Sequence, residues 1–148
     1  MPTRPEPAQV VVTGTDPAAN TEFSDTVPAS QWWGLVCATV ALVQGITQTP
    51  QPVLVIDDGA TTLFESFGCT TAQAVSTTCR YTWGIGMPIS GLIGATTNVH
   101  AEAGLPAGLV LCPGYRIRST TVGIGANSDY GAPVYLVRKY VDFPGHLF

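Results

Sequence analysis

No charged side chain occurs between Asp25 and Asp57, and this silent stretch holds the run Trp32-Trp33-Gly34-Leu35-Val36-Cys37-Ala38-Thr39-Val40-Ala41-Leu42-Val43. A membrane-spanning helix needs about 20 predominantly apolar residues; this run is shorter and is broken by glycine and threonine, so no membrane partner is expected. Its β-branched and aromatic content disfavours a soluble helix. The pattern is that of a long strand buried on both faces, inside a β-sandwich or at a subunit interface. Pro28 keeps the chain extended as it approaches the strand.

The rest of the composition points the same way. At 148 residues the chain has the length of one domain, and a domain of about 150 residues buries roughly 70% of its unfolded surface. A core is therefore attainable without metals or crosslinks. Charged residues make up 11% of the chain, against about 25% in an average soluble protein, which suits a surface largely covered by neighbours. Sixteen glycines and twelve prolines favour strands joined by tight turns. The net charge is −4 and Lys139 is the single lysine. Nucleic-acid binding requires a basic footprint that displaces counterions from phosphates, and no nucleic-acid partner is expected.

No apolar core follows the single cation in Met1-Pro2-Thr3-Arg4-Pro5-Glu6-Pro7, so a secretory signal is not expected and synthesis in a reducing cytoplasm is. The spacings of Cys37, Cys69, Cys79 and Cys112 fit no zinc pattern. Cys37 and Cys112 sit in apolar runs, where a free thiol acts as a small hydrophobe. Cys69 and Cys79 flank a Thr/Ser/Ala-rich loop. They stay free in a reducing setting, or form a disulfide worth about 2–3 kcal/mol in an oxidising one.

Along the chain, prolines at 2, 5, 7 and 17 make residues 1–22 an extended arm, with a short strand at Gln9-Val10-Val11-Val12-Thr13 ended by Gly14 to Pro17. Residues 23–148 form the body. Val53 to Asp57 reads as a strand, and Asp58-Gly59 as a hairpin turn into 61–67. Cys79 to Ile85 alternates like a half-buried strand. Met87 to Ile93 reads as a further strand and Asn98 to Ala103 as a helical turn. Pro113-Gly114 turns the strand ending at Cys112 into 115–122; a loop over 123–131 then leads to a last strand from Ala132 to Val141. About eight strands with little helix specify an all-β fold, a two-sheet antiparallel sandwich of jelly-roll type.

Chemistry is sparse. His100 and His146 lie in no metal-ligand spacing, and no nucleophile-elbow sequence accompanies them. Gly123-Ile124-Gly125-Ala126-Asn127-Ser128 has serine where a dinucleotide-binding loop needs its third glycine. Asp57-Asp58 lacks the further oxygen ligands of a calcium site and is explained by its turn. No catalytic residue, cofactor or metal ligand is nominated. The interaction candidates are Val10, Val11 and Val12 in the arm, Trp32 and Trp33 in the long strand, and Arg116 and Arg118. With one of Arg138 and Lys139, these two arginines are expected to form a polar face over neighbouring strands. Such a face is solvated or salt-bridged, or finds its acidic counterpart on a partner.

Asp25-Thr26-Val27-Pro28-Ala29-Ser30-Gln31-Trp32-Trp33, the apolar strand, Val53 to Gly59, Leu105 to Gly108 and Pro113-Gly114-Tyr115-Arg116-Ile117-Arg118-Ser119 together resemble small virion structural proteins of tailed bacteriophages. The resemblance spans about residues 25–142. It implies a jelly-roll-like sandwich that decorates or cements a capsid, or that serves in the head-fibre or head–tail apparatus. A homo-oligomer, a trimer first, would contact the major capsid protein or other virion subunits, with assembly in the host cytoplasm and residence in the virion. The family has no catalytic residues to carry over, and its usual pattern lacks the four cysteines. The competing expectation is a carbohydrate- or receptor-binding sandwich of a phage fibre or tail, with Trp83 and Tyr130 as stacking platforms.

Overall fold

A computed structural model describes residues 8–94 and 99–140 of the chain. The elements are all strands: β1 (Ala8–Thr13), β2 (Ser24–Thr26), β3 (Trp32–Gln44), β4 (Gln51–Asp57), β5 (Thr62–Phe67), β6 (Thr78–Ile85), β7 (Val99–Leu105), β8 (Val110–Leu111), β9 (Arg116–Val122), β10 (Ser128–Tyr130) and β11 (Val134–Tyr140). They form two sheets. The larger runs β1-β11-β3-β6-β7, with β8 and β10 also paired to β3; the smaller runs β2-β9-β4-β5.

The charge-free run becomes the spine of the larger sheet. Strand β3 is thirteen residues long, enough to pair with two strands on each flank: β11 and then β10 on one side, β8 and then β6 on the other. Its residues alternate. Trp33, Leu35, Ala38, Val40 and Leu42 are buried in the core, while the intervening residues are half-buried and Val43 is 48% exposed. The strand is therefore buried on one face, not two. The doubly buried strand is β4, where Val53, Leu54, Val55, Ile56 and Asp57 are all inaccessible. It lies centrally in the smaller sheet, and on its outer face Arg118 and Glu65 flank Val55. Long side chains of this kind cover apolar surface with their stems.

The core lies between the sheets. Leu54, Ile56 and Ile117 from the smaller sheet meet Leu35, Val40, Leu42, Tyr81, Trp83, Tyr135 and Val137 from the larger. Phe23 and Tyr130 meet edge to face with centroids 5.3 Å apart, a favoured aromatic geometry.

The expected turns form as their residues demand. Gly59 at φ 96° closes the β4–β5 hairpin and Gly114 at φ 87° the turn into β9, a region open to glycine without steric penalty. Asp58 Oδ1 accepts the N–H groups of Ala60 and Thr61 at 2.9 and 2.7 Å, which completes the first turn.

Other expectations need correction. Val99–Leu105 is strand β7, where a helical turn was expected, and it runs parallel to β6. The sandwich is thus antiparallel except for that pair. Met87 to Ile93 forms no strand; it contributes one bridge, Ile93 to His100. The segment lies over two opposed glycines, Gly84 and Gly104. A Cβ on Gly104 would meet the Met87 carbonyl oxygen at 2.7 Å, and one on Gly84 the Met87 sulfur at 2.9 Å. Strand glycines at such a spot let another backbone approach. The loop after β9 carries the chain to the other sheet, where Ser128–Tyr130 pairs with β3.

The N-terminal region also differs from a free arm. Ala8–Thr13 is an edge strand of the larger sheet, in unbroken antiparallel register with β11. Residues 1–7 lie outside the described residues, as does His146.

Candidate functional site

The two candidate arginines come together, with a partner the sequence did not suggest. Residues two apart on a strand share a face, so Arg116 and Arg118 both stand on the outer face of β9. Asp57, opposite Arg116 on β4, stands between them. Arg116 Nε donates to Asp57 Oδ1 at 2.7 Å and its Nη2 to Oδ2 at 3.0 Å; Arg118 Nε donates to Oδ2 at 2.5 Å. Gly59 N–H adds a bond to Oδ1 at 2.9 Å. The hydrogen bonds from Arg116, with those from Arg118, hold the Asp57 carboxyl well below the usual carboxylate range against the opposing effect of burial. Of the readings offered by the sequence, the two arginines follow the salt-bridged one, with the counter-charge inside the chain and not on a partner. Arg138 and Lys139 do not join this face, because β11 belongs to the other sheet. Lys139 lies over the Trp33 ring, 5.9 Å from its centroid.

Other polar groups are similarly engaged. Glu22 accepts from Thr121 N–H at 2.6 Å, from Thr121 Oγ1 at 2.8 Å and from the Ser119 hydroxyl. With the Thr121 hydroxyl proton directed at Glu22, Tyr130 donates to Thr121 Oγ1, at 2.6 Å. Gln73, fully buried, donates to the carbonyls of Leu42 and Thr77 and accepts from the Tyr81 hydroxyl, all at 3.0 Å. Asp25 accepts from the Tyr135 hydroxyl at 2.7 Å and from Thr15 N–H at 2.8 Å. Burial drives the Tyr81, Tyr130 and Tyr135 phenols far above their ordinary range, so these hydroxyls act as fixed donors.

A pocket of about 300 Å³ at one end of the sandwich is lined by Asp25, Gln31, Trp33, Tyr135 and Lys139, among others. Its acid and its phenol already bond each other, and Trp33 is 4% exposed. The stacking platforms expected at Trp83 and Tyr130 are absent from the surface, since both rings are buried in the core. Trp83 Nε1 donates to Ser66 O at 3.1 Å. His100 is solvent-exposed on β7. Among the described residues no three His, Cys, Asp or Glu side chains gather as metal ligands.

All four cysteines are free. Cys69 and Cys79 do not form the bridge considered for them; each takes a place in the core. Burial pushes the Cys79 thiol up to about 11 and raises Cys37 as well.

The remaining candidates lie on the larger sheet. Trp33 points into the core and Trp32, its neighbour, outward and half-buried. Val10 and Val12 pack against the core, while Val11 is 67% exposed. Cross-strand partners share a face, so Val11, Leu136 and Cys37 form one outward row and Thr13, Val134 and Thr39 the next. These rows hold no charge. Only strand order could show that the row of Val11 continues over β11 and β3.

No protein-family model, curated protein or solved structure matches the chain.

Proposed function

We propose that the chain is a non-enzymatic structural protein of a virus particle, of the kind that decorates or stabilises a bacteriophage capsid. The observation that carries this reading is the pair of uncharged rows on the outer face of the larger sheet, Val11–Leu136–Cys37 and Thr13–Val134–Thr39, beside the row that carries Arg138. A broad face of small, β-branched and aliphatic residues suits contact with another protein surface, since such patches mark interaction sites. The low charge of the whole chain supports the same reading, as does the engagement of Asp57, Glu22, Gln73 and Asp25 in bonds that hold the sandwich together. Assembly as a homo-oligomer, contact with a major capsid protein and the jelly-roll kinship all belong to this proposal and rest on the resemblance of residues 25–142.

The test is the protein content of intact particles of the virus that encodes the chain. Density-purified virions should contain it at a fixed copy number by mass spectrometry, and antibody against the folded domain should label their surface. Its presence in the lysate with none in the particles defeats the reading. The carbohydrate-binding alternative has lost Trp83 and Tyr130 and keeps the pocket at Trp33 and Tyr135. Saturable binding on a glycan array, abolished by Gln31→Ala, would favour it instead.

A further inference from the structure

The edge of a sheet exposes a row of unpaired N–H and C=O groups, and soluble proteins blunt it by shortness, charge, a bulge or a covering segment. The strand order ends at β1, β7, β2 and β5. Strand β2 is three residues long. Strand β5 carries Glu65 and a register break against β4. Strand β7 is lined by the segment before it: Ser90 N–H donates to Glu102 O at 2.8 Å, Glu102 N–H to Ser90 Oγ at 2.8 Å, and Ile93 and His100 exchange backbone bonds. Among the described residues, strand β1 has none of these devices. Ala8-Gln9-Val10-Val11-Val12-Thr13 holds no charge and no proline, and its pairing with β11 is regular.

The ladder shows which groups of β1 face outward. Gly14 N–H donates to Pro133 O at 2.7 Å, one step beyond the Thr13–Val134 pair. Bonded and non-bonded pairs alternate along antiparallel strands. The residues bonded to β11 are therefore Ala8, Val10, Val12 and Gly14, and the N–H and C=O groups of Gln9, Val11 and Thr13 point away from the sheet.

We propose that β1 pairs antiparallel with β1 of a second copy of this chain, about a two-fold axis through Val11, joining the two larger sheets into one. In this register Val11 faces Val11, Gln9 faces Thr13 and Val10 faces Val12. Every outward group then finds a partner, in about six main-chain bonds. A shift by two residues sets Thr13 against Pro7, which has no N–H, or Gln9 against Thr15 beyond the strand. A shift by one opposes outward and inward side chains. The strand suits its own copy: β-branched at the centre, uncharged throughout, with an uncharged polar residue, Gln9 or Thr13, near each end, so no like charges meet. Pairing uses up the edge, and the two-fold contact closes as a dimer. The uncharged rows of Val11, Leu136 and Val134 become continuous between the copies. This inference does not depend on the virion reading.

Sedimentation equilibrium of the full chain over a wide concentration range tests it, with Val11→Pro and Val11→Lys beside the wild type. Proline at 11 removes an outward donor and no bond to β11, and edge strands admit proline. The wild type should dimerise, and both variants should sediment as monomers with unchanged far-UV circular dichroism. If Val11→Pro fails to fold, Val11→Lys carries the comparison. Hydrogen exchange should show the Val11 amide protected in the dimer and exposed on dilution. A wild type that stays monomeric or forms trimers, folded variants that dimerise like the wild type, or an unprotected Val11 amide in the dimer would each overturn the proposal.

Discussion

Asp57 has 2% of its side chain exposed and two guanidinium groups upon it. Removing the partners of a buried carboxylate leaves its charge uncompensated. Arg116→Met or Arg118→Met alone should cost little, since the other arginine and Gly59 N–H remain. The double variant should cost clearly more than the two single losses added together in urea unfolding, and additive single effects would show that the two act independently. The lowered folded-state value makes Asp57 bind a proton less readily when folded than when unfolded. Its stabilisation is fully present above the unfolded value of about 4 and fades as pH falls below it. Asp57→Asn should therefore flatten the acid limb of the stability profile while changing little of its shape above pH ~5. For the thiols, burial predicts that Cys69 and Cys79 resist a thiol reagent at neutral pH in the native protein and react on unfolding. The intact mass should be the same with and without reductant. The Arg116–Arg118 pair was legible by its period of two; Asp57 was not, because nearly sixty residues separate it from them in the chain and only the β4–β9 register makes them neighbours.

At the scale of the strand, adjacent residues face opposite ways, and Trp32-Trp33 divides accordingly. Trp33→Ala should cost about 3–5 kcal/mol, whereas Trp32→Ala should cost clearly less by the same denaturant measurement. Equal losses would show that the outward face at Trp32 is as tightly packed as the core. Turns and the long strand were readable because they depend on local residue chemistry: Asp58-Gly59, Pro113-Gly114 and a continuous β-branched run. Strand β7 was not. Val99-His100-Ala101-Glu102-Ala103 alternates with period two, but its alanines carry little strand preference and its pairing to β6 is parallel and distant. Gly84 read only as one position of a strand; in the sheet it and Gly104 make the slot for Met87.

For the whole molecule, the decisive boundary is at the N-terminus. A chain that begins at Ala8 keeps the whole of β1 and sets the reference for the domain's thermal midpoint. Removing residues 1–13 should lower it by several degrees, because β11 loses its outer partner and Val10 and Val12 no longer cover the core edge. Equal midpoints for the two truncations would mean that β1 adds nothing to the body.

Composition and pattern by themselves determined an all-β chain with a central apolar strand and tight glycine turns, because those follow from local sterics and from the period of burial. They also determined the pairing of faces along each strand, hence which of two neighbouring residues points inward. Only the tertiary structure decided which strands neighbour one another, and everything that depends on neighbours followed from it. Asp57 rather than a partner answers the arginines, Trp83 and Tyr130 lie in the core, Cys69 and Cys79 stay apart as thiols, and Ala8–Thr13 is an edge strand of the larger sheet. Register between distant segments is set by the summed packing of two sheets, and no window of sequence contains that sum.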